Sequence, residues 1–391
     1  MRAWIAFTVC LAVGAGDLDG QVSDLSAYYL NLFSHSDASP GRDSGLVDYQ
    51  RLRFMWGLAL GPMSLDVAYE HTLQLHAEGV LGTGAVGLVP GSGINWLELD
   101  WTASESDRVS WRHRVDRIAL TVPVGGSVEV SAGRQVVSWA STIILTPADP
   151  FTPFDPADPF REYRAGIDAL RVRAYLGAFS EMDMVVRPTS GTGGDRLTAL
   201  VRGRTNWRGW DVAGWGGVLF DDAAGALSAV GALAGWAVRT ELSIRDDEAG
   251  AAFRGTVGVD RRFAVGGRDL YLIVEYRRDD FGAADPDELF ETTLTAPFQR
   301  GEMQLLGRDA LAGQASYQIH PLWAVDLLTL GSLSDGSILL SGGVSWAFGS
   351  NSSLRGGAFV GVGDDALGPA VIGSEFGAAP TVLYLSLTHF F

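Results

Sequence analysis

Apolar and polar residues alternate with a period of two along most of this chain, and this pattern constrains its fold more than any other feature. In the segment 63–76 the apolar positions are Met63, Leu65, Val67, Tyr69, Leu73 and Leu75. The segments 170–176 and 236–245 repeat the alternation. Because successive side chains of a β-strand point to opposite faces, each segment predicts a strand with one apolar and one polar face.

The apolar faces of these strands carry few charges, and this separates two kinds of all-β protein. In a soluble sandwich the polar face contacts solvent, whereas in a transmembrane barrel the apolar face contacts lipid and the polar face lines a watery interior. After Ala15 no stretch approaches the about 18 apolar residues that a membrane helix needs. So many strands of this kind favour an all-β chain that folds as a transmembrane antiparallel barrel.

Turn residues divide the chain into hairpins with short connections on one side and long ones on the other. The long segments are acidic and rich in Gly and Pro, at 35–45, 77–110, 137–166, 279–306 and 363–379. This asymmetry is typical of outer-membrane barrels. It predicts about 18 strands, with 16 as the alternative, and a barrel of that size encloses water. The segment 95–102 is either a further strand or an extension of the predicted strand 113–123. The short connections are Leu60–Pro62, Val124–Gly126, Ala178–Ser180, Asn206–Arg208, Ala234–Gly235, Val265–Gly267, His320–Leu322 and Gly349–Asn351.

Both ends of the chain indicate export to the cell outer membrane of a Gram-negative type of cell. Residues 1–15 combine Arg2, an apolar run and small residues, which predicts a cleaved signal peptide. The only cysteine, Cys10, lies in this run. The last strand places Leu383, Leu385, Leu387 and Phe391 on one face, as in the C-terminal strand of outer-membrane barrels. We therefore expect one barrel over residues 16–391, with outer-membrane lipids as its surroundings.

The charged residues exclude several functions. The 29 basic residues are all Arg, against 46 Asp and Glu, for a net charge of −17. Nucleic-acid binding is disfavoured because its affinity comes mainly from cationic charge. The lack of lysine excludes Schiff-base chemistry. His71 and His76 fall on opposite faces of one strand, and no Gly-x-Ser-x-Gly motif is present. We expect no catalytic site, no cofactor and no metal.

The predicted inward faces carry charges of both signs. Three interpretations stay open: the signs pair with each other, the arginines guide anions, or the lining prefers cations. Guanidinium groups bind carboxylates in a bidentate manner, so arginine rows in a narrow pore favour anions. The predicted pore-lining residues are Arg51, Arg53, Asp66, Glu70, Arg117, Glu129, Arg171, Arg173, Arg202, Arg204, Arg239, Glu241 and Glu275.

The segment 137–166 is the most unusual in the chain. Its three Asp-Pro units are rigid turns, and its phenylalanines would hold it against a wall. We expect it to fold into the lumen as a constriction; the alternative is an extracellular cap. We expect Arg161, Glu162 and Arg164 near the narrowest point. The candidate residues of the constriction loop are Asp155, Asp158, Arg161, Glu162 and Arg164.

The run Gly133-Arg-Gln-Val-Val-Ser-Trp139, the Pro- and Asp-rich loop after it, and the run from Arg161 to Arg171 resemble outer-membrane porin-like barrels of the alginate-export type. The resemblance covers about 40 residues and implies passage of polysaccharides or small solutes through an arginine-lined pore. Members of that family also use lysine in the pore, which this chain lacks.

These observations together predict a porin that lets small hydrophilic solutes, including anions, diffuse through the outer membrane. One alternative is an exporter of an acidic polysaccharide, with the same arginines as a sliding track. A further alternative is a structural or adhesive barrel. The oligomeric state stays open, with a trimer as one option by analogy with porins.

Overall fold

The structure, a computed structural model, describes residues 21–38, 43–77, 95–151, 163–191, 194–247, 250–365, 372–377 and 379–391. Nineteen strands are present in these ranges, and two short helices, Leu289–Leu294 and Ala296–Gln299, follow the fourteenth. No helix in the described ranges is long and apolar enough to cross a membrane. In chain order the strands are β1 Gln21–Ser36, β2 Gly45–Leu60, β3 Met63–His76, β4 Asp100–Glu105, β5 Val109–Val124, β6 Val128–Gln135, β7 Ile167–Tyr175, β8 Glu181–Gly191, β9 Gly194–Trp207, β10 Trp210–Leu219, β11 Asp222–Leu233, β12 Trp236–Asp247, β13 Gly250–Val265, β14 Arg268–Asp279, β15 Asp309–His320, β16 Trp323–Ser332, β17 Ile338–Phe348, β18 Ser352–Val362 and β19 Val382–Phe390.

Eighteen of these strands form a closed antiparallel barrel. These are all the strands except β4. Each pairs with the next one along the chain, β3 with β5 past β4, and β1 pairs with both β2 and β19, which closes the wall. The predicted fold class and the strand number of 18 are confirmed. The eight predicted short connections all lie at one end of the barrel, between strands that pair as hairpins.

The remaining strand, β4, fills the gap that is left in the wall beside β5, beyond the end of β6. The sequence predicts that the segment 95–102 is either a separate strand or an extension of the next strand. The structure shows a separate strand that forms a hairpin with β5. One edge of β5 pairs with β3. The other edge pairs with β4 along residues 110–114 and with β6 along residues 118–124. Since β6 ends at Gln135 and the chain then turns into the lumen, β4 takes the place of β6 beside the first residues of β5.

A buried ion pair ties this patch of wall together. Arg134 on β6 donates from Nε to Asp168 on β7, at 2.8 Å, and from Nη2 to the carbonyl of Leu97, at 2.6 Å. The Leu97 N–H in turn donates to Asp168, at 2.7 Å. The arginine is 1% exposed, so the segment before β4 closes over the pair.

The two faces of each strand differ as the alternation predicts. On β12, Leu242 and Ile244 are exposed on the outside, whereas Glu241, Ser243 and Arg245 face inward and are buried. The short-turn end carries outward aromatic pairs such as Trp323 and Trp346, whose rings stack 5.6 Å apart. Such a belt of aromatic rings marks a membrane interface in outer-membrane barrels.

The apolar core lies inside the barrel. One buried cluster joins Ile144 and Leu145 of the 137–166 segment to inward residues of β1 and β14–β19. A second joins Val137, Trp139 and Phe151 to inward residues of β7, β8 and β9. These clusters hold the described part of the segment against two regions of the inner wall.

We predict that Gly133 is needed for the wall around the gap. Its φ is +120°, and an added Cβ would lie 2.1 Å from the carbonyl oxygen of Ile118. Gly133→Ala should therefore lower the free energy of unfolding by about 1–3 kcal/mol, the usual cost of such backbone strain. Urea titration of heat-dependent gel mobility measures this. Gly203→Ala, in open space on β9, is the control; equal midpoints for the two variants would contradict the prediction.

Candidate functional site

Residues 141–148 cross the lumen and hydrogen-bond to two carboxylates on the wall. Glu275 on β14 accepts the N–H groups of Ile143, Ile144 and Leu145, at 2.7, 2.9 and 2.7 Å. Glu241 on β12 accepts the backbone N–H groups at positions 141, 142 and 148, at 2.8, 3.3 and 3.2 Å. These six backbone groups cannot pair within a strand, because this stretch forms none.

The two carboxylates are not free lining groups of a watery pore. Both were predicted on the inward face, where they lie, and pairing with the arginines was one of the three interpretations left open. Glu241 is 2% exposed and Glu275 is 1% exposed, because the segment covers them. Within the described residues no arginine side chain lies within 4.0 Å of either carboxylate. Backbone N–H groups satisfy these charges instead, and hydrogen bonds to charged groups are among the stronger ones.

A side-chain amide adds a third attachment. Gln304, from the chain between β14 and β15, accepts the Thr146 N–H at 2.6 Å and donates to the Ile144 carbonyl at 3.0 Å. Ile144 and Leu145 pack into the first apolar cluster at the same place. The crossing stretch is thus held by polar contacts along its backbone and apolar contacts at its tip.

The returning end of the segment is held on another part of the wall. The guanidinium groups of Arg53 and Arg117 lie over the Tyr163 ring, with their Cζ atoms 4.8 and 5.8 Å from the ring centre. Arg164 forms an ion pair with Asp149 at 3.0 Å. Of the predicted residues of the constriction loop, Arg164 lies within the described ranges, whereas Asp155, Asp158, Arg161 and Glu162 lie outside the described residues.

Many predicted lining residues form ion pairs, and most of these pairs join adjacent strands. Arg53 on β2 instead reaches Asp116 on β5, past β3, and Arg117 pairs with its sequence neighbour Asp116. Asp66 faces inward and is exposed, beside Arg117. The sequence pattern placed these residues on one face but did not show which arginine pairs with which carboxylate, because register is a property of the folded sheet. The pairs are Arg51 and Arg53 with Glu70 (3.8 and 3.2 Å), Arg53 with Asp116 (2.6 Å), Arg117 with Asp116 (3.9 Å), Arg173 with Glu129 (2.8 Å), Arg171 with Asp183 (2.6 Å), Arg202 and Arg204 with Glu181 (3.7 and 3.3 Å), and Arg239 with Asp260 (2.7 Å).

Several partners in these pairs were missed. Glu181 and Asp183 alternate with Met182 and Met184 on β8, so their parity alone could have identified them. Asp116 could not be found that way. The register between β3 and β5 shifts beside it, and this bulge adds one residue to the strand.

A cavity of about 210 Å³ lies between the crossing segment and the wall. Ala140 and Ser141 form one side, and β9–β12 form the other. Arg239 also donates to the Ser141 carbonyl at 3.4 Å. The charged residues that line it are Arg202, Arg204, Arg239 and Asp211. Glu181 and Asp260, which pair with these arginines, do not line the cavity.

Comparison with known proteins identifies the fold. No protein-family model and no curated protein matches the sequence. The structure is similar to OccK2 (OpdF) of Pseudomonas aeruginosa, with TM-score 0.56 and 12% identity over 95% of this chain and 98% of that one. It is also similar to OccAB1 of Acinetobacter baumannii, with TM-score 0.55 and 9% identity over 96% and 98%. A BenF-like porin from Pseudomonas fluorescens gives 0.53 and 11% over 95% and 98%.

At these identities the similarity establishes the fold, which is the closed barrel of outer-membrane porins. The predicted barrel fold is confirmed. The resemblance to alginate-export barrels finds no support in these comparisons and stays a prediction. OccK2 (OpdF) has also been solved in complex with glucuronate.

We predict that Glu275 keeps the crossing segment in place. Glu275→Gln retains the shape but removes the charge, and its NH₂ group would face backbone N–H groups. The amides of residues 143–145 should then exchange with deuterium roughly tenfold faster or more, as the loss of hydrogen bonds to a charged group implies. Mass spectrometry of the exchanged peptides measures this. Glu129→Gln, which removes a partner of Arg173 remote from the segment, should leave exchange unchanged; equal acceleration in both variants would show that the segment is not held by Glu275.

Proposed function

We propose that the chain is an outer-membrane channel for passive diffusion of small hydrophilic solutes, with a preference for anions. The fold supports the channel, since barrels of 16–18 strands enclose a water-filled lumen. The observation that carries the preference is the lining of the cavity beside Ser141, where three arginines face one aspartate. The same chemistry fits a carboxylate solute such as the glucuronate found in the similar OccK2 barrel.

The ion pairs leave part of the positive charge directed at the passage. The Arg204 side chain is 49% exposed and shares Glu181 with Arg202. Arg239 pairs with Asp260 but keeps a face on the cavity. A solute that enters the cavity therefore meets three guanidinium groups and the Asp211 carboxylate, because the other carboxylates, Glu181 and Asp260, do not line it. In a narrow aqueous passage the groups at the surface control which ions enter.

The segment 137–166 is the constriction of the proposed channel. Its described part crosses the lumen at Glu241 and Glu275 and packs into apolar clusters on both sides, so it takes space that solvent would otherwise fill. A volume of about 210 Å³ beside it suits a small solute. Strongly attached loops keep a pore diameter constant, which favours a passive channel.

The charge preference can be measured in a planar bilayer under a salt gradient. We expect an anion-selective reversal potential for the natural chain. The triple variant Arg202→Gln, Arg204→Gln, Arg239→Gln should lower the ratio of anion to cation permeability by roughly tenfold, because three charges leave the passage. Arg278→Gln, at the opposite end of the barrel and outside the lumen, is the control. Cation selectivity of the natural chain would overturn the anion preference.

The role of the segment is tested by shortening it. Deletion of residues 141–160 should raise the single-channel conductance about twofold or more, because the crossing stretch no longer occupies the lumen. Heat-dependent gel mobility verifies that the shortened barrel folds. A folded variant with unchanged conductance would place the constriction elsewhere.

A further inference from the structure

The outer wall has a groove where two glycines are neighbours. Gly203 on β9 pairs with Gly214 on β10, and the same row continues to Met182 on β8 and Leu227 on β11. The two glycines form the floor, and the longer side chains form the rims. The groove has a volume of about 630 Å³ and its lining is mostly apolar.

The rims stand well clear of the wall. Leu176 is 69% exposed and Leu227 is 70% exposed, and Leu227 leans over Gly214. In a membrane a gap of this size between apolar ridges must be filled, because an empty one loses dispersion contacts on every side. The hydrocarbon of lipid acyl chains is what surrounds the barrel in a membrane and can fill the groove.

The polarity of the groove changes along its length towards the short-turn end. After the apolar row come two hydroxyl groups, Ser180 and Thr205, whose oxygens are 2.8 Å apart. Beyond them, in the hairpin turn between β9 and β10, lies Arg208. Its guanidinium is 5.2 Å from the centre of the exposed Trp207 ring. Two residues, Asn206 and Trp207, separate Thr205 from Arg208, so the two Cα atoms lie at most about 10 Å apart.

Arg208 is available to an anion. It is exposed, and within the described part of the chain it forms no ion pair. Tryptophan is enriched at membrane interfaces, where headgroups lie, and arginine binds phosphate in a bidentate manner. The order apolar floor, hydroxyl groups and guanidinium matches the order acyl chain, ester and phosphate in a glycerophospholipid.

We propose that this groove is a binding site for one anionic glycerophospholipid of the periplasmic leaflet, with an acyl chain on Gly203 and Gly214 and the phosphate at Arg208. The inference depends on the proposed outer-membrane placement, in which the short turns face the periplasm. A second copy of the chain is the competing occupant. The exposed guanidinium of Arg208 at the headgroup end favours the lipid, since an apolar contact between copies would not require it.

Native mass spectrometry of the purified barrel in mixed micelles tests the site, with phosphatidylglycerol and phosphatidylcholine as probes. The natural chain should retain one phosphatidylglycerol. Gly203→Leu fills the groove, and since no atom lies within 4 Å of a Cβ added there, the wall can accept it. Retention should fall roughly tenfold. Arg208→Gln should reduce retention of phosphatidylglycerol to the level of phosphatidylcholine.

Two matched variants serve as controls. Gly313→Leu adds the same side chain at another outward glycine with open space around it, on β15, and Arg268→Gln removes a cation at another short turn. Both should bind like the natural chain. Unchanged retention in Gly203→Leu would overturn the proposal, as would a change of oligomeric state in that variant, which would assign the groove to a second copy. Conductance of the same preparations separates the proposals: a conducting barrel without bound lipid refutes only the lipid site.

Discussion

The structure depends on one requirement, that backbone N–H and C=O groups away from water find partners. The wall satisfies it by closing, with β1 paired to both β2 and β19. The segment that crosses the lumen cannot join a sheet, so its N–H groups turn to side chains. Glu241 and Glu275 accept six of them. The same rule therefore shapes the wall and fixes the segment inside it.

The charges of the lumen are distributed unevenly. Near Tyr163, Arg53 is 1% exposed and pairs with Glu70 and Asp116, so it stabilises the returning end of the segment. Around the cavity, Arg204 is half exposed and borders open space. Arginine thus has two uses in one barrel. Buried and fully paired, it is structural; at the cavity, its paired but accessible guanidinium supplies the field that we propose acts on solutes.

The sequence predicts the wall well because the two faces of each strand have different surroundings, and this imprint appears directly as an alternation of apolar and polar residues, as on β3. Eighteen strands, the short turns and the inward faces of Arg202 and Glu241 follow from that imprint. Three features leave none. The bulge at Asp116 changes parity by one residue, the pairing of charges depends on register, and a carboxylate that binds backbone N–H groups looks the same in sequence as one that faces water. The inward faces of these residues could therefore be predicted from sequence, but the contacts between them could not.

The attachment of the crossing segment also has a consequence for assembly. Ser141 and Glu241 are 100 residues apart in the chain, and Ile143 and Glu275 are 132 apart. The segment is synthesised long before the strands that hold it, and ordering so long a loop costs entropy that only late contacts recover. The interior can therefore reach its final arrangement only after β12 and β14 have joined the wall, which makes the seating of this segment a late event in the maturation of the barrel.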